Sequence, residues 1–246
     1  MSVSPARPVA VVVPAKDEAR RIASTVRAAQ ALAGVRLVVV VDDGSTDATG
    51  DLARSTGARV VRHASNQGKA AAMTTGAAVA AAELGEDHLL LFVDADLEES
   101  AGALGVLVPP VASGEADMSV AILPPQASSG GGHGFVVRLA RRGIADLTGW
   151  TPTQPLSGMR CLSRDAYLTA QPLARGWGVE VGLTVDVLAA GMTVVEVPCD
   201  LHHRVTGSDW AAQLHRARQY RDVALALARR RLRRARRTRS PRQGGG

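Results

Sequence analysis

Two cysteines, Cys161 and Cys199, are all that a chain of 246 residues contains. So few, without the spacing of a metal site, exclude a disulfide framework, fit a reducing compartment and leave each as a buried structural thiol. Long apolar runs are missing as well. The longest, residues 37–41 and 89–93, fall far below the ~20 residues of a membrane-crossing helix, and residues 9–13 are too short for a signal-peptide core. A cytoplasmic protein is expected. No G-x-G-x-x-G follows the first apolar run and no G-x-x-x-x-G-K-[ST] occurs anywhere, so neither a dinucleotide fingerprint nor a P-loop is present. Lysine is nearly absent: Lys16 and Lys69 stand alone in a chain that otherwise uses arginine. Each falls in a turn after a predicted strand, where a compact ammonium offers a point charge that the guanidinium fork does not.

Charge of one sign is concentrated at the end of the chain. The formal net charge is +6, yet nine arginines lie between Arg229 and Arg242 with no acid after Asp222; without them 20 basic residues face 23 acidic ones. The remainder is mildly acidic, which speaks against nucleic-acid binding. Residues 229–246 read as a basic, disordered tail, or as an element docking on an anionic membrane, where each arginine contributes about 1 kcal/mol. On either reading truncation after Ala228 leaves the fold intact. With 46% hydrophobic residues, positions 1–228 suffice for one core and one domain.

What is present is a rhythm of strand and helix. Residues 9–13 form a β-branched run stopped at Pro14, and Ile22, Val26, Ala29 and Ala33 recur at helical spacing before Gly34. Residues 37–41 give a second strand, Asp42-Asp43-Gly44-Ser45 a turn, and Ser45 or Thr46 caps a helix that stops at Gly57. Val60 and Val61 centre a third strand, Asn66-Gln67-Gly68-Lys69 the next turn, and an Ala-rich helix runs to Gly85 before the fourth strand. This alternation predicts an α/β, Rossmann-like, mostly parallel sheet flanked by helices. Beyond Asp96 the rhythm changes. A short helix from about Ser100, a strand at 118–123 and a Gly-rich loop at 124–134 precede helices at 135–147 and 179–190, with strands at 158–162 and 193–197. From Ser208 a long helix carries Trp210, Leu214, Ala217, Tyr220, Ala224 and Leu227 on one stripe.

The chain is organised around residues 88–96. Five apolar residues in a row read as a strand buried on both faces, and it ends in Asp94-Ala95-Asp96, at the carboxyl edge of the sheet where ligands collect. Residues i and i+2 of an extended chain face the same way, so both acids can meet one ligand. Two hard oxygen donors suit Mg²⁺ or Mn²⁺, ions that keep several waters and bridge to phosphates; strand-end acids that cap the next helix are the plain alternative. The turns Pro14-Ala15-Lys16-Asp17-Glu18 and Asp42-Asp43-Gly44-Ser45 emerge on the same edge, where carboxylates accept hydrogen bonds from a nucleobase and from ribose hydroxyls.

In order and spacing, Pro14-Ala-Lys-Asp17-Glu18, Asp42-Asp43-Gly44-Ser45-Thr46-Asp47, Asn66-Gln67-Gly68-Lys69 and Asp94-Ala-Asp96 resemble the nucleotide half of family 2 glycosyltransferases with the GT-A fold. Ser157-Gly158-Met159-Arg160, Gly178-Val-Glu180, Gly191 to Pro198 and Arg204-Val-Thr-Gly207-Ser208 look like the polyprenyl-phosphate mannosyl- and glucosyltransferases, and the glucosyl-3-phosphoglycerate synthases share part of the pattern. The resemblance implies a nucleotide-sugar half at about 8–97 and an acceptor half at 98–228. It implies metal-dependent transfer of a hexose from a UDP- or GDP-sugar to a phosphate-bearing acceptor such as a polyprenyl phosphate. Transfer to a small soluble phosphorylated acceptor and non-catalytic nucleotide-sugar binding are the alternatives.

Carried over residue by residue, the resemblance makes Pro14, Ala15, Lys16, Glu18, Asp43, Gly44 and Lys69 nucleotide contacts. Asp96 would hold Mg²⁺ or Mn²⁺, with Asp94 nearer the ribose and the metal's waters, and His203 or His202 would complete the metal site. Glu180 would lie beneath the sugar, as general base toward an acceptor hydroxyl or as an orienting group toward an acceptor phosphate. Arg160 and Arg204 would receive that phosphate on guanidinium forks, and residues 128–134 would close over the acceptor. An anionic membrane surface met through residues 229–242, and a second copy in a homodimer, are the further partners this reading admits; nucleic acid is not among them.

Overall fold

The computed structural model describes residues 7–124, 133–200 and 210–239. Four strands, β1 (Val9–Ala15), β2 (Val35–Asp42), β3 (Arg59–Arg62) and β4 (Leu89–Phe92), run parallel, as the alternation predicts. β5 (Met118–Ile122), β6 (Arg160–Ser163) and β7 (Val194–Pro198) extend them into one seven-stranded sheet of order β3-β2-β1-β4-β6-β5-β7. Only β6 runs against its neighbours β4 and β5. β1 has β2 on one side and β4 on the other, so the connections reverse there and open a crevice at the strands' carboxyl ends.

The β-branched runs form strands because each is buried on both faces. Val9, Val11 and Val13 pack with Ile22, Val26 and Ala29 of α1 (Ile22–Gln30), and with Leu104 and Leu107 of a 3₁₀ helix, Glu98–Leu107, on one side of the sheet. Ala10 and Val12 face the other side, against Met73 and Ala77 of α3 (Lys69–Leu84). Two short helices, α2 (Thr49–Ser55) and α4 (Val108–Ala112), also pack on the α1 side. α6 (Arg164–Thr169) and α7 (Val179–Ala189) share the α3 side. Both cysteines are buried, and burial pushes Cys161 up to about 12 and Cys199 up to about 11, which keeps them as unreactive thiols.

α7 is covered a second time by α5 (His133–Thr148) and α8 (Trp210–Arg239): Val136, Ala140, Ile144, Val181, Val185, Val223 and Leu227 form a separate cluster. A helix enclosed on all sides is apolar round its whole circumference, as Val-Glu-Val-Gly-Leu-Thr-Val-Asp-Val-Leu-Ala is. These three helices run side by side in one direction. The Trp177 N–H donates to Asp222 Oδ2 (3.3 Å) at one end, Arg230 donates to Gly182 O (3.1 Å) and to the Asp186 carboxylate further along, and Arg234 Nη1 reaches Asp146 O (3.0 Å) and Leu147 O (3.1 Å) at the last turn of α5.

These contacts correct the expectation of a disordered tail from residue 229. α8 continues to Arg239, because Arg230 is buried against α7 and Arg234 supplies donors to carbonyls that end α5 without helical partners. Residues 240–246 lie outside the described part. Among the described residues no helix is long and apolar enough to cross a membrane.

Candidate functional site

The turns that follow β1 and β2 are joined by short polar side chains. Asp17, at φ 54°, accepts hydrogen bonds from Thr46 N (2.8 Å) and Thr46 Oγ1 (3.2 Å), while its own N–H donates to Ser45 Oγ (3.0 Å). The Glu18 N–H donates to Thr49 Oγ1 (2.7 Å) and the Ala19 N–H to Asp47 Oδ2 (3.1 Å). Thr46 N–H above all, with Lys16, holds the Asp17 carboxyl below its ordinary value. Lys16, exposed, reaches Asp17 Oδ2 (3.0 Å) and Gly44 O (3.2 Å). Gly44 has φ +70°, and a Cβ there would lie 2.7 Å from the Ser65 carbonyl carbon and 2.8 Å from Asn66 N, so this turn packs directly on the loop before α3.

Asp43 ties the same three segments together from within. Its N–H donates to Ala15 O (2.8 Å); its Oδ1 accepts from His63 Nδ1 (2.7 Å) and Gln67 N (2.8 Å), and its Oδ2 from Gly68 N (2.7 Å). Burial pushes this carboxyl up, but the donors of Gln67, His63 and Gly68 outweigh it and hold the acid below its ordinary value.

Gly68 leads into Lys69, the first residue of α3. Its ammonium is 2.8 Å from Asp94 Oδ1, at the end of β4, and 3.0 Å from Glu180 Oε1, in the first turn of α7. Burial would depress the lysine, but the two carboxylates raise it above its ordinary value, so it stays a cation. The pair leaves no room behind it: a Cβ on Gly158 would fall 2.7 Å from Lys69 Nζ and 2.8 Å and 3.0 Å from the Asp94 oxygens.

Arg160 underlies this group and is 1% exposed. Nε and Nη2 donate to Ser157 O (3.1 and 2.6 Å), and Nη1 donates to Glu180 O and Thr184 Oγ1 (both 3.0 Å). The expectation that Arg160 receives an acceptor phosphate is therefore corrected: its fork is spent on carbonyls and a hydroxyl inside the protein, and it fixes the turn of α7 that carries Glu180. Burial pushes its pKa down to about 10, against the charges of Glu180 and Asp94.

Asp96 and Glu18 complete the acidic rim. Glu18 accepts from Arg21 Nε (2.8 Å) and Nη2 (2.7 Å). Burial raises its carboxyl, Arg21 opposes this, and the charges of Asp96 and Asp47 add to the rise. Asp96 is half-buried, and among the described residues none donates a hydrogen bond to its carboxylate. A half-buried acid to which none of the described residues donates, two residues from a second acid, fits Mg²⁺ or Mn²⁺ held by one or two carboxylates and completed by water and phosphate oxygens. The described residues contain no group of three or more His, Cys, Asp or Glu able to hold a metal. His202, His203 and Arg204 lie in 201–209, and the expected closing loop mostly in 125–132, outside the described residues.

Pro14, Ala15, Lys16, Glu18, Asp43, Gly44, Lys69, Asp94, Asp96 and Glu180 thus come to one edge of the sheet, with Arg160 beneath. Sequence reasoning does not reach the Lys69–Glu180 contact, which joins positions far apart in the chain, nor His63. The one signal for His63 is a polar residue directly after the strand that Val60 and Val61 centre, past Arg62, on the edge that collects the acids.

Residues 10–148 match the family described as glycosyl transferase family 2. Glycosyltransferase AglJ of Haloferax volcanii is 28% identical over 213 residues, 82% of this chain and 65% of AglJ. Glucosyl-3-phosphoglycerate synthase of Mycobacterium tuberculosis is 32% identical over 204 residues, 73% of this chain and 60% of the synthase. The chain therefore spans less than two thirds of each. A crystal structure of that synthase with Mn²⁺, uridine diphosphate and phosphoglyceric acid superposes with a TM-score of 0.72 at 30% identity, covering 91% of this chain and 78% of that one. Another, with Mg²⁺ and uridine diphosphate, gives 0.71 at 30% identity, covering 91% and 79%.

Proposed function

The chain belongs to glycosyl transferase family 2, and from that premise we propose that it moves a hexose from a UDP- or GDP-sugar to an acceptor that carries a phosphate. The observation that carries this reading is the Lys69 ammonium, 2.8 Å from Asp94 and 3.0 Å from Glu180, at the crevice beside β1. A divalent cation on Asp96 and Asp94 would supply neutralisation of the charge on the departing diphosphate. The chain's own residues do the rest. Asp43, held rigid by three donors, keeps acceptor capacity on Oδ2 for a ribose hydroxyl or a base N–H. Lys69 bridges Asp94 and Glu180 at 2.8 and 3.0 Å and so holds the two carboxylates in one place at the crevice.

Glu180 then orients the sugar by accepting hydrogen bonds from its hydroxyls. Glu180 Oε1 is committed to the Lys69 ammonium at 3.0 Å, so the attacking atom is best one that needs no base, and a phosphate oxygen, ionised beforehand, is such an atom. The bond from that oxygen to the anomeric carbon forms as the bond from that carbon to the diphosphate breaks. Attack by a hydroxyl of a small phosphorylated acid is the second reading, supported by the likeness to a synthase crystallised with phosphoglyceric acid.

The test supplies UDP-glucose or GDP-mannose, Mn²⁺, and either a short polyprenyl phosphate in detergent or 3-phosphoglycerate. The expected product is a glycosyl phosphate, cleaved by mild acid. A product stable to mild acid made from 3-phosphoglycerate establishes the second reading, and transfer that proceeds equally to glycerate, which has no phosphate, overturns both.

A further inference from the structure

We infer that His63 is a positioning residue for this site, fixing the Asp43 carboxylate and, through it, the loop from which Lys69 starts. His63 is the first residue after β3, its N–H donates to Asp42 O (2.9 Å), and its ring is 8% exposed. Both ring nitrogens are engaged. Nδ1 lies 2.7 Å from Asp43 Oδ1 and Nε2 lies 3.0 Å from Thr75 Oγ1, in the second turn of α3. A carboxylate only accepts, so Nδ1 carries the proton, while the threonine hydroxyl can donate to Nε2 or accept from it. The ring is thus a rigid strut from the turn after β2 to α3, with the loop 64–68 strung between them.

What the strut controls follows from the three donors to Asp43. Two are the N–H groups of Gln67 and Gly68, immediately before Lys69; the third is His63. Without the imidazole, Oδ1 retains one donor and a void opens beside it, so the carboxylate can rotate away from its two backbone donors. The segment they hold is the one that packs 2.7 Å from the position of a Cβ on Gly44 and delivers Lys69 to Asp94 and Glu180. His63 never touches the ligand. It acts on the shape of the nucleotide edge through Asp43.

The inference rests on the proposed nucleotide-sugar reading, and its test separates the two. Titration calorimetry of the full chain with UDP and with GDP, with and without Mn²⁺, first identifies the nucleotide that the wild type binds. His63→Leu is expected to weaken that nucleotide about tenfold, the loss of one charge-assisted hydrogen bond, to the same degree with and without Mn²⁺. His63→Asn, whose amide can replace the Nδ1 donor, is expected to recover affinity to within about threefold, and Thr75→Val, which removes the other end of the strut, to weaken binding in the same sense as His63→Leu. A folded His63→Leu that binds as tightly as wild type overturns the inference, as does a His63→Asn no better than His63→Leu, since the ring would then only fill space. If His63→Leu does not fold, Thr75→Val binding at wild-type strength overturns it. A wild type that binds neither nucleotide overturns the function itself, and this inference with it.

Discussion

Gly158 shows how a single absent atom can matter at the residue scale. A methyl there would lie within 3.0 Å of Lys69 Nζ and both Asp94 oxygens, yet its neighbours are side-chain ends that can move. Gly158→Ala should therefore fold normally but pry the lysine from its carboxylates, with transfer slowed about tenfold, ~1.4 kcal/mol of barrier. Unchanged turnover in that variant would detach the Lys69–Asp94 pair from the chemistry. Asp96→Ala should abolish metal-stimulated transfer and most affinity for the nucleotide diphosphate while leaving the thermal midpoint in place, because a half-buried rim carboxylate to which none of the described residues donates contributes little to the fold. Turnover that Mn²⁺ still raises to near the wild-type level would move the metal elsewhere. Asp43 makes a prediction in pH. Its folded carboxyl lies below the ordinary 3.8, so the unfolded chain takes up the proton first, and the stabilisation, present above 3.8, is lost as pH falls from there through the lower folded value. Below about pH 4 the wild-type urea midpoint should fall more steeply than that of Asp43→Asn; parallel profiles would exclude Asp43 as an acid-sensitive clamp.

At the scale of elements, α8 is where sequence and structure part most clearly. Arginines after residue 228 read as one solvated block, but the helix sorts them by face. Arg230 enters the α7 interface, where its side chain is 6% exposed beside an Asp186 that is 14% exposed, while Arg229, Arg233 and Arg236 stay exposed. Removing one partner of a buried pair strands the other charge. Arg230→Ala should cost about 3–5 kcal/mol in urea unfolding, and truncation after Ala228 at least as much, whereas Arg233→Ala should change stability by less than ~0.5 kcal/mol. A truncated chain as stable as the full one would return these arginines to the role of an unstructured tail.

For the whole molecule, the direction of the helical layer decides what the arginine-rich end can reach. α7 starts with Glu180 at the crevice and ends at Ala189, near the edge where β7 begins, and α8 runs alongside it to bond the last turn of α5. Arg233 and Arg236 therefore lie further along α8, past the level of Gly182 that Arg230 bonds and toward the last turn of α5, on the side away from the start of α7. Replacing Arg233 and Arg236 together by alanine should leave transfer to a polyprenyl phosphate in phosphatidylglycerol vesicles within about twofold at low and at high salt, since charges on the far turns of α8 are screened from the site. A loss confined to vesicles at low salt would identify this end as an anchor after all.

The sequence by itself determined what is decided within a few residues: the parallel strands from their β-branched runs, the helices from their 3.6-residue stripes, and the gathering of Pro14, Asp43, Lys69 and Asp94 on one edge, because strands that alternate with helices bring every such turn out on the same side. Tertiary structure decided the rest. A guanidinium suits a phosphate and a cluster of buried carbonyls equally well, so only the packing of β6 beneath α7 assigned Arg160 to the interior. Nothing local pairs Lys69 with Glu180 or His63 with Asp43 either. Those contacts exist because strand order, and the enclosure of α7 between the sheet and the helices α5 and α8, bring distant residues within hydrogen-bond reach, and neither is written in any single stretch of the chain.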